Sequence, residues 1–346
     1  MPSRPRVAIA GSLHYDIMVR APGLPRIGET LMGDAWWCKP GGKGGNQAMA
    51  AALHGADARM IGALGDDGFG AFLRERLAAS GVDITSVRTV DRGSGMSVAI
   101  ERPDGDYGAI VVSGANSTID EASIAACADT IRASWVLLLQ SEIPQGANVA
   151  AARLARDAGV VVVLNAAPAR PIGALAGLLD VLVVNTVEAE MLGAGVVDDL
   201  ASASVAAVRL LSLAPTVIVT AGGAGVAAAF ATPPVPGSSH PTAVAPAAAP
   251  TTLTVPAHPV AGAQTHGAGD MFVGALATRL AADAPLVDAL RYANAAAALH
   301  VGTPEADRAA LGPADVWRLL GVAEGTAIAA TGDQGAPDGP GTHRNR

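Results

Sequence analysis

Four short stretches of the chain, SWVLLLQ (134–140), GVVVVLN (159–165), DVLVVN (180–185) and PTVIVTAGG (215–223), are apolar almost without interruption. A strand with one wet face alternates apolar and polar residues, so runs of this kind belong to strands covered on both sides. Helix-like segments lie between them from about residue 119 onward, and parallel strands joined by crossover helices are the arrangement that buries both faces. The expected fold class is therefore α/β, a mostly parallel sheet flanked by helices.

The first third of the chain fits this rhythm less well. Val7–Ala10 reads as a short strand ending at Gly11-Ser12, and the stretch from there to Pro40 is rich in Pro and Gly with weak strand alternation. GGKGGNQAMAAALHGA (41–56) reads as a glycine-rich turn feeding an alanine-rich helix, followed by strand-like ARMIGAL and a helix over 69–79. In SGMSVAIERPDGDYGAIVVSGAN, Asp104-Gly105 separates two alternating apolar runs, a hairpin signal. The segments at about 13–40 and 95–115 are expected to form a small β-sheet lid on a domain spanning 1–322. The Pro/Ala-rich insert 231–251 reads as an exposed loop, and 323–346 as a disordered tail.

Composition excludes several function classes. A net charge of −8 lacks the basic face on which nucleic-acid binding rests, and 3% aromatic residues are too few for a base-stacking platform. No apolar run is long enough to span a bilayer, and the one after the basic N-terminal residues is too short for a signal peptide, so a cytoplasmic protein with no membrane partner is expected. Cys38 and Cys127 have no metal-ligand spacing and read as reduced structural thiols. An acidic chain can still bind a nucleotide through backbone N–H groups and a metal ion.

Chemistry concentrates in a few places. In QTHGAGDMFVGALATRL (264–280), Gly267-Ala268-Gly269 leads into a segment where Phe272, Leu276 and Leu280 recur every four residues, a loop opening a buried helix. The first turn of a helix has unpaired N–H groups and the positive end of the macrodipole, which together attract an anion. Asp270 would repel a phosphate there, but its carboxylate can accept the proton of a hydroxyl attacking that phosphate. The simpler reading is an ordinary helix start with a first-turn acid. In GGKGGNQA, Lys43 and Asn46 supply donors suited to a polyol, and the spacing is not that of a P-loop. Asp16 follows the first strand, where a carboxylate can meet sugar hydroxyls. Asn185 and Glu188 lie one helical turn apart after a strand, as a magnesium-steering pair or as an N-cap with its capping-box acid. TAGGAG (220–225) is another post-strand glycine run.

Taken in this order, GGKGGNQA, NTVE, TAGGAG and GAGD resemble the PfkB family of carbohydrate kinases, and within it the ribokinase branch, over roughly residues 6–320. The resemblance implies a three-layer, Rossmann-like ribokinase fold and transfer of the ATP γ-phosphate to a hydroxyl of ribose or a related pentose or hexose, with Mg²⁺ as cofactor. It implies Asp270 as the base and Gly267, Ala268 and Gly269 as the anion hole. It assigns Ser12, His14, Asp16, Gly42, Lys43, Asn46 and, in QSEIP, Glu142 to the sugar; Asn185, Thr220, Gly222, Gly225 and Asn294 to the nucleotide; and Glu188 to magnesium through water. The lid corresponds to a β-clasp through which ribokinases commonly form homodimers. Two positions depart from the pattern. His14 stands where ribokinases usually carry Asn, and QTHGAGD stands where they usually read DTTGAGD. Gln264 is thus a degenerate monovalent-cation position, little dependence on K⁺ is expected, and His266 is a candidate substitute charge. The rival readings are a nucleoside kinase or fructokinase of the same family, and a non-catalytic sugar- or nucleotide-binding protein of this fold.

Overall fold

The computed structural model describes residues 4–102, 107–230, 249–260 and 266–323. Among these residues the strands are β1 (Arg6–Ala10), β2 (His14–Arg20), β3 (Ala35–Gly41), β4 (Asp57–Gly65), β5 (Asp83–Val90), β6 (Gly95–Glu101), β7 (Tyr107–Val112), β8 (Val136–Gln140), β9 (Val161–Asn165), β10 (Val181–Asn185), β11 (Thr216–Thr220), β12 (Gly225–Phe230) and β13 (Thr251–Pro256). The helices are α1 (Lys43–Leu53), α2 (Gly68–Ala79), α3 (Glu121–Ala126), α4 (Ala128–Arg132), α5 (Gln145–Asp157), α6 (Thr186–Met191), α7 (Leu200–Arg209), α8 (Ala268–Ala281), α9 (Leu286–Gly302) and α10 (Pro313–Leu320).

Nine strands form the main sheet in the order β13-β12-β11-β10-β9-β8-β1-β4-β5. Every pair from β11 to β5 is parallel, whereas β12 and β13 close the other edge antiparallel. Strand side chains alternate between faces, so each continuous apolar run feeds two cores at once. Val7, Ile9 and Leu138 pack with α1, α2, α8, α9 and α10, while Ala8, Ala10, Leu137 and Leu139 pack with α3 to α7. The result is a three-layer α/β architecture. Alanine dominates the buried faces of α1, α5 and α7, which lets those helices lie close on the sheet.

A second, smaller sheet of order β3-β2-β6-β7 joins the two segments read above as one lid. Its β2 and β6 are parallel, pairing Asp16 with Ser97 and Ile17 with Val98. The turn at Asp104-Gly105 lies outside the described residues, although β6 and β7 pair antiparallel as a hairpin requires. Residues 231–248 and the tail from 324 also lie outside them, and Thr251, assigned above to the insert, begins β13. Among the described residues no helix is long and apolar enough to cross a membrane.

Candidate active site

Parallel strands end on one edge, and the polar residues that stop the apolar runs gather there. Gln140 is in register with Asn165, Asn165 with Val183, and Asn185 with Thr220. The N-termini of α1 and α8 meet this edge. Together they border a cleft of about 300 Å³ lined by Lys43, Asn165, Asn185, Glu188, Thr220, His266, Gly267, Gly269 and Asp270, among others. A cleft beyond the carboxyl ends of the strands is where open α/β sheets bind ligands.

Helix α8 begins as the sequence predicts. Gly267 caps it in the left-handed conformation, φ 83°, with no side-chain hydrogen bond to the first turn. A Cβ at that position would be strained by the backbone and would meet His300 Nε2 at 3.0 Å. Space is open around Gly269. The first-turn N–H groups of a helix without a side-chain cap retain capacity for an acceptor from outside, and the macrodipole favours an anionic one.

Asp270, in that first turn, is buried among donors. Asn46 Nδ2 donates to its Oδ2 and Gln47 Nε2 to its Oδ1, each at 3.0 Å. Burial pushes the carboxyl pKa up; the Lys43 charge and the two amide bonds pull it down, and Glu142 pushes it up. A carboxylate raised from its ordinary value is a better proton acceptor.

The proposed sugar residues form one connected cluster beside this acid. Glu142 Oε2 accepts from Ser12 Oγ at 2.5 Å and from the Lys43 backbone N–H at 2.9 Å, and His14 Nδ1 lies 3.9 Å from it. Asp16 Oδ1 accepts from Ser97 Oγ at 2.6 Å, and burial raises the Asp16 pKa against that bond and the nearby His14 and Lys39. His14 is buried and its pKa is lowered, by burial against the pull of Glu142 and Asp16. Gly42, with φ 81°, would place a Cβ 2.8 Å from both His14 N and Ser12 O. Its missing side chain thus serves contact between α1 and the β1–β2 turn; Gly45 N–H donates to Ser12 O at 2.9 Å across the same junction.

Asn185 and Glu188 line the cleft and also form a reciprocal capping box. Asn185 N–H donates to Glu188 Oε2 and Glu188 N–H to Asn185 Oδ1, both at 2.8 Å. The capping reading of NTVE is what the structure shows, and the cap fixes the Glu188 carboxylate at the cleft. Burial raises the Glu188 pKa, opposed by the Asn185 bond and Lys43, and Asp270 adds to the rise. Thr220 lines the same wall. Gly225 serves the sheet edge, because its φ is 120° and a Cβ there would strike the backbone of β13 at Val255. Asn294 donates from Nδ2 to Pro256 O at 2.8 Å, tying α9 to β13, while Gly222 opens a one-turn helix after β11.

His266 lines the cleft beside Gly267. Its pKa is pushed down to about 4, first by desolvation in the cleft wall and then by Lys39, Lys43, His300 and Arg308. Gln264 lies outside the described residues.

Sequence reasoning missed the amides packed against Asp270. Gln47 donates to Asn165 Oδ1 at 3.1 Å as well as to Asp270, and accepts from Gln140 Nε2 at 2.8 Å. Gln47 lies inside GGKGGNQA, and Asn165 ends GVVVVLN as Asn185 ends DVLVVN. A polar residue closing a strand buried on both faces was the available signal.

The model of the pfkB family of carbohydrate kinases matches residues 4–311. The ribokinase of Haemophilus influenzae is 32% identical over 301 residues, covering 86% of this chain and 92% of that protein. The ribokinase of Bacillus subtilis is 31% identical over 297 residues, covering 85% and 92%. The structure of Arabidopsis thaliana ribokinase complexed with ribose and ATP superposes with a TM-score of 0.79 at 29% identity, over 93% of this chain and all of that one. With the family model spanning most of its length, this chain belongs to the pfkB family of carbohydrate kinases.

Proposed function

We propose that this chain, as one kinase domain over residues 1–322, is an ATP-dependent sugar kinase whose acceptor is ribose or a related pentose or hexose. The observation that carries the reading is the position of Asp270, buried in the first turn of a helix without a side-chain cap and bonded to Asn46 beside the Ser12, Asp16 and Glu142 cluster. Carboxylates and amides at fixed separations match a polyol, and the exposed first turn of α8 matches a transferring phosphoryl group. The sugar hydroxyl oxygen attacks the γ-phosphorus, and its proton passes to Asp270. The bond from the γ-phosphorus to the bridging oxygen breaks, and ADP leaves with the electron pair. Lys43 and the α8 N–H groups offset the charge that develops on the phosphoryl oxygens.

The residues present fit a hydrated magnesium ion. Glu188 is a buried carboxylate facing the cleft, and its capping bond to Asn185 favours contact through water over direct ligation. Among the described residues no group of three or more His, Cys, Asp or Glu is arranged as a protein cage for a metal. When bound, the ion neutralises phosphate charge. At the monovalent-cation position the usual carboxylate is replaced by Gln264, whose neutral amide is a weaker ligand for a hard cation.

We further propose a homodimer formed through the small sheet and a cytoplasmic location. One face of that sheet carries Trp36, Val19 and Ile100 in one cross-strand row and Ile17, Val98 and Ile110 in the next. Trp36 is 71% exposed and Ile110 74% exposed, an apolar face of the kind a partner covers. The cytoplasmic location is supported by free Cys38 and Cys127.

ATP consumption with a panel of pentoses, hexoses and nucleosides tests the activity. Turnover with a pentose or hexose is expected. Turnover confined to nucleosides, or none with any acceptor, contradicts the reading.

A further inference from the structure

Helix α1 carries two adjacent amides, and they take opposite oxygens of the same carboxylate. Asn46 bonds Oδ2 of Asp270 and is half-buried beside the sugar cluster. Gln47 bonds Oδ1 and is fully buried. The Gln47 side chain is itself held at both ends. Gln140 Nε2 on β8 donates to its Oε1 at 2.8 Å, and its Nε2 also donates to Asn165 Oδ1 on β9 at 3.1 Å. Behind these, Asn148 Nδ2 on α5 donates to the Gln140 carbonyl at 2.7 Å, and Asn165 Nδ2 donates to Val183 O on β10 at 3.3 Å. The base is thus linked through one amide to three central strands of the sheet.

We propose that Gln47 is a positioning residue for phosphoryl transfer, clamping Oδ1 of Asp270 from below so that Oδ2, the oxygen shared with Asn46, stays directed to the sugar side of the cleft and receives the proton. The two amides differ in what a ligand can do to them. Asn46 can exchange its bond to Oδ2 for one to a sugar hydroxyl as the site fills. Gln47, fully buried with each end committed to another side chain, keeps its bond throughout. A donor to the charged form of a carboxylate favours that form, so Gln47 also holds the base ready to accept a proton. The inference rests on Asp270 being the base.

The charged groups acting on Asp270 from the surrounding elements are Lys43 on α1, Glu142 after β8 and Glu188 on α6. None is altered by a change at Gln47, so a shift in the pH profile reports on the clamp. The test is kcat against pH at saturating ATP, magnesium and sugar, with sugar KM measured alongside, for the unmodified enzyme, Gln47→Met, Gln47→Glu and Asp270→Asn. Gln47→Met keeps the length and removes the donor. Its acid limb is expected to move up by about one pH unit, with sugar KM changed less than about twofold. Gln47→Glu is isosteric and stands in if the methionine variant does not fold. With a second carboxylate 3.0 Å from Oδ1, its acid limb is expected to move up further. A uniform fall in kcat with an unmoved profile in whichever variant folds means that Gln47 serves packing alone and overturns the proposal. Near-normal turnover by Asp270→Asn overturns the base assignment itself, which is a different result from an inactive Asp270→Asn beside unshifted Gln47 variants.

Discussion

Asn46 and Asp270 lie 224 residues apart in the chain and share a 3.0 Å hydrogen bond, Nδ2 to Oδ2. The bond joins the first turn of α1, which carries the donors proposed to hold a polyol, to the first turn of α8, which carries the proposed anion site and base. Both helices belong to the same core, where Ala48 and Ala51 of α1 and Val273, Ala277 and Leu280 of α8 are buried. Under the proposed assignment, one packed unit positions both nucleophile and phosphate, the condition under which phosphoryl transfer gains most from orientation.

The sugar clamp predicts a ligand-selective loss. Asp16 is buried on the small sheet with Ser97 and His14, whereas Asn185 and Thr220 end strands of the main sheet. Asp16→Ala is expected to weaken sugar binding by roughly 1.5–3 kcal/mol, the range for a charged hydrogen-bond partner, and to leave nucleotide binding nearly unchanged. Titration calorimetry with each ligand measures this, and equal losses for both place the pocket elsewhere.

Potassium should matter little. The position where the family carries the carboxylate that holds the ion is Gln264 in this chain, and a neutral amide oxygen is a weaker ligand for a hard cation. Steady-state rates in potassium-free and potassium-containing buffers are expected to agree within about twofold, the size of an ordinary salt effect on an exposed site. Strong activation contradicts the assignment.

His54 predicts an acid-sensitive fold. It lies at the end of α1 with Nδ1 3.0 Å from Tyr292 Oη and Nε2 3.3 Å from Met271 Sδ, and burial pushes its pKa down to about 4. The folded state therefore binds this proton less readily than the unfolded chain, whose histidine titrates at its ordinary 6.5. Stability is full above that value, falls as pH drops through it and levels off below about 4, a loss on the order of 3 kcal/mol. His14, His258, His266 and His300 are also lowered, so the comparison that isolates His54 is urea unfolding of the wild type and His54→Gln at pH 8 and pH 5. The variant is expected to lose less between the two. Equal losses assign the sensitivity to the other histidines.

The exposed apolar face of the small sheet predicts a dimer that a single charge disrupts. Ile110→Glu is expected to convert a dimer to a monomer in sedimentation velocity without loss of secondary structure. A monomeric wild type at micromolar concentration rules out this interface.

Much of this fold was legible because burial on both faces leaves a direct trace in the sequence. The runs ending at Gln140, Asn165, Asn185 and Thr220 are β8 to β11. Strand β5, DITSVRTV, went unread because an edge strand alternates weakly and lacks such a run. At the site, Gly267 and Asp270 were legible because a helix start has few chemical solutions. The Gln47, Gln140 and Asn165 network was not, since it depends on register between β8 and β9 and on the approach of α1, which no local pattern encodes. Likewise the lowered pKa of His266 comes first from desolvation in the folded cleft, which no local pattern encodes.

The central claim is that the buried Asp270 accepts the proton of the attacking hydroxyl. Asp270→Asn preserves shape and the capacity to bond Asn46 or Gln47 while removing the proton acceptor. Single-turnover transfer of the γ-phosphoryl group to the preferred sugar, measured with sugar affinity held in view by calorimetry, is expected to slow by roughly 10²-fold or more with binding little changed. A variant that transfers phosphate at close to the wild-type rate would contradict the account.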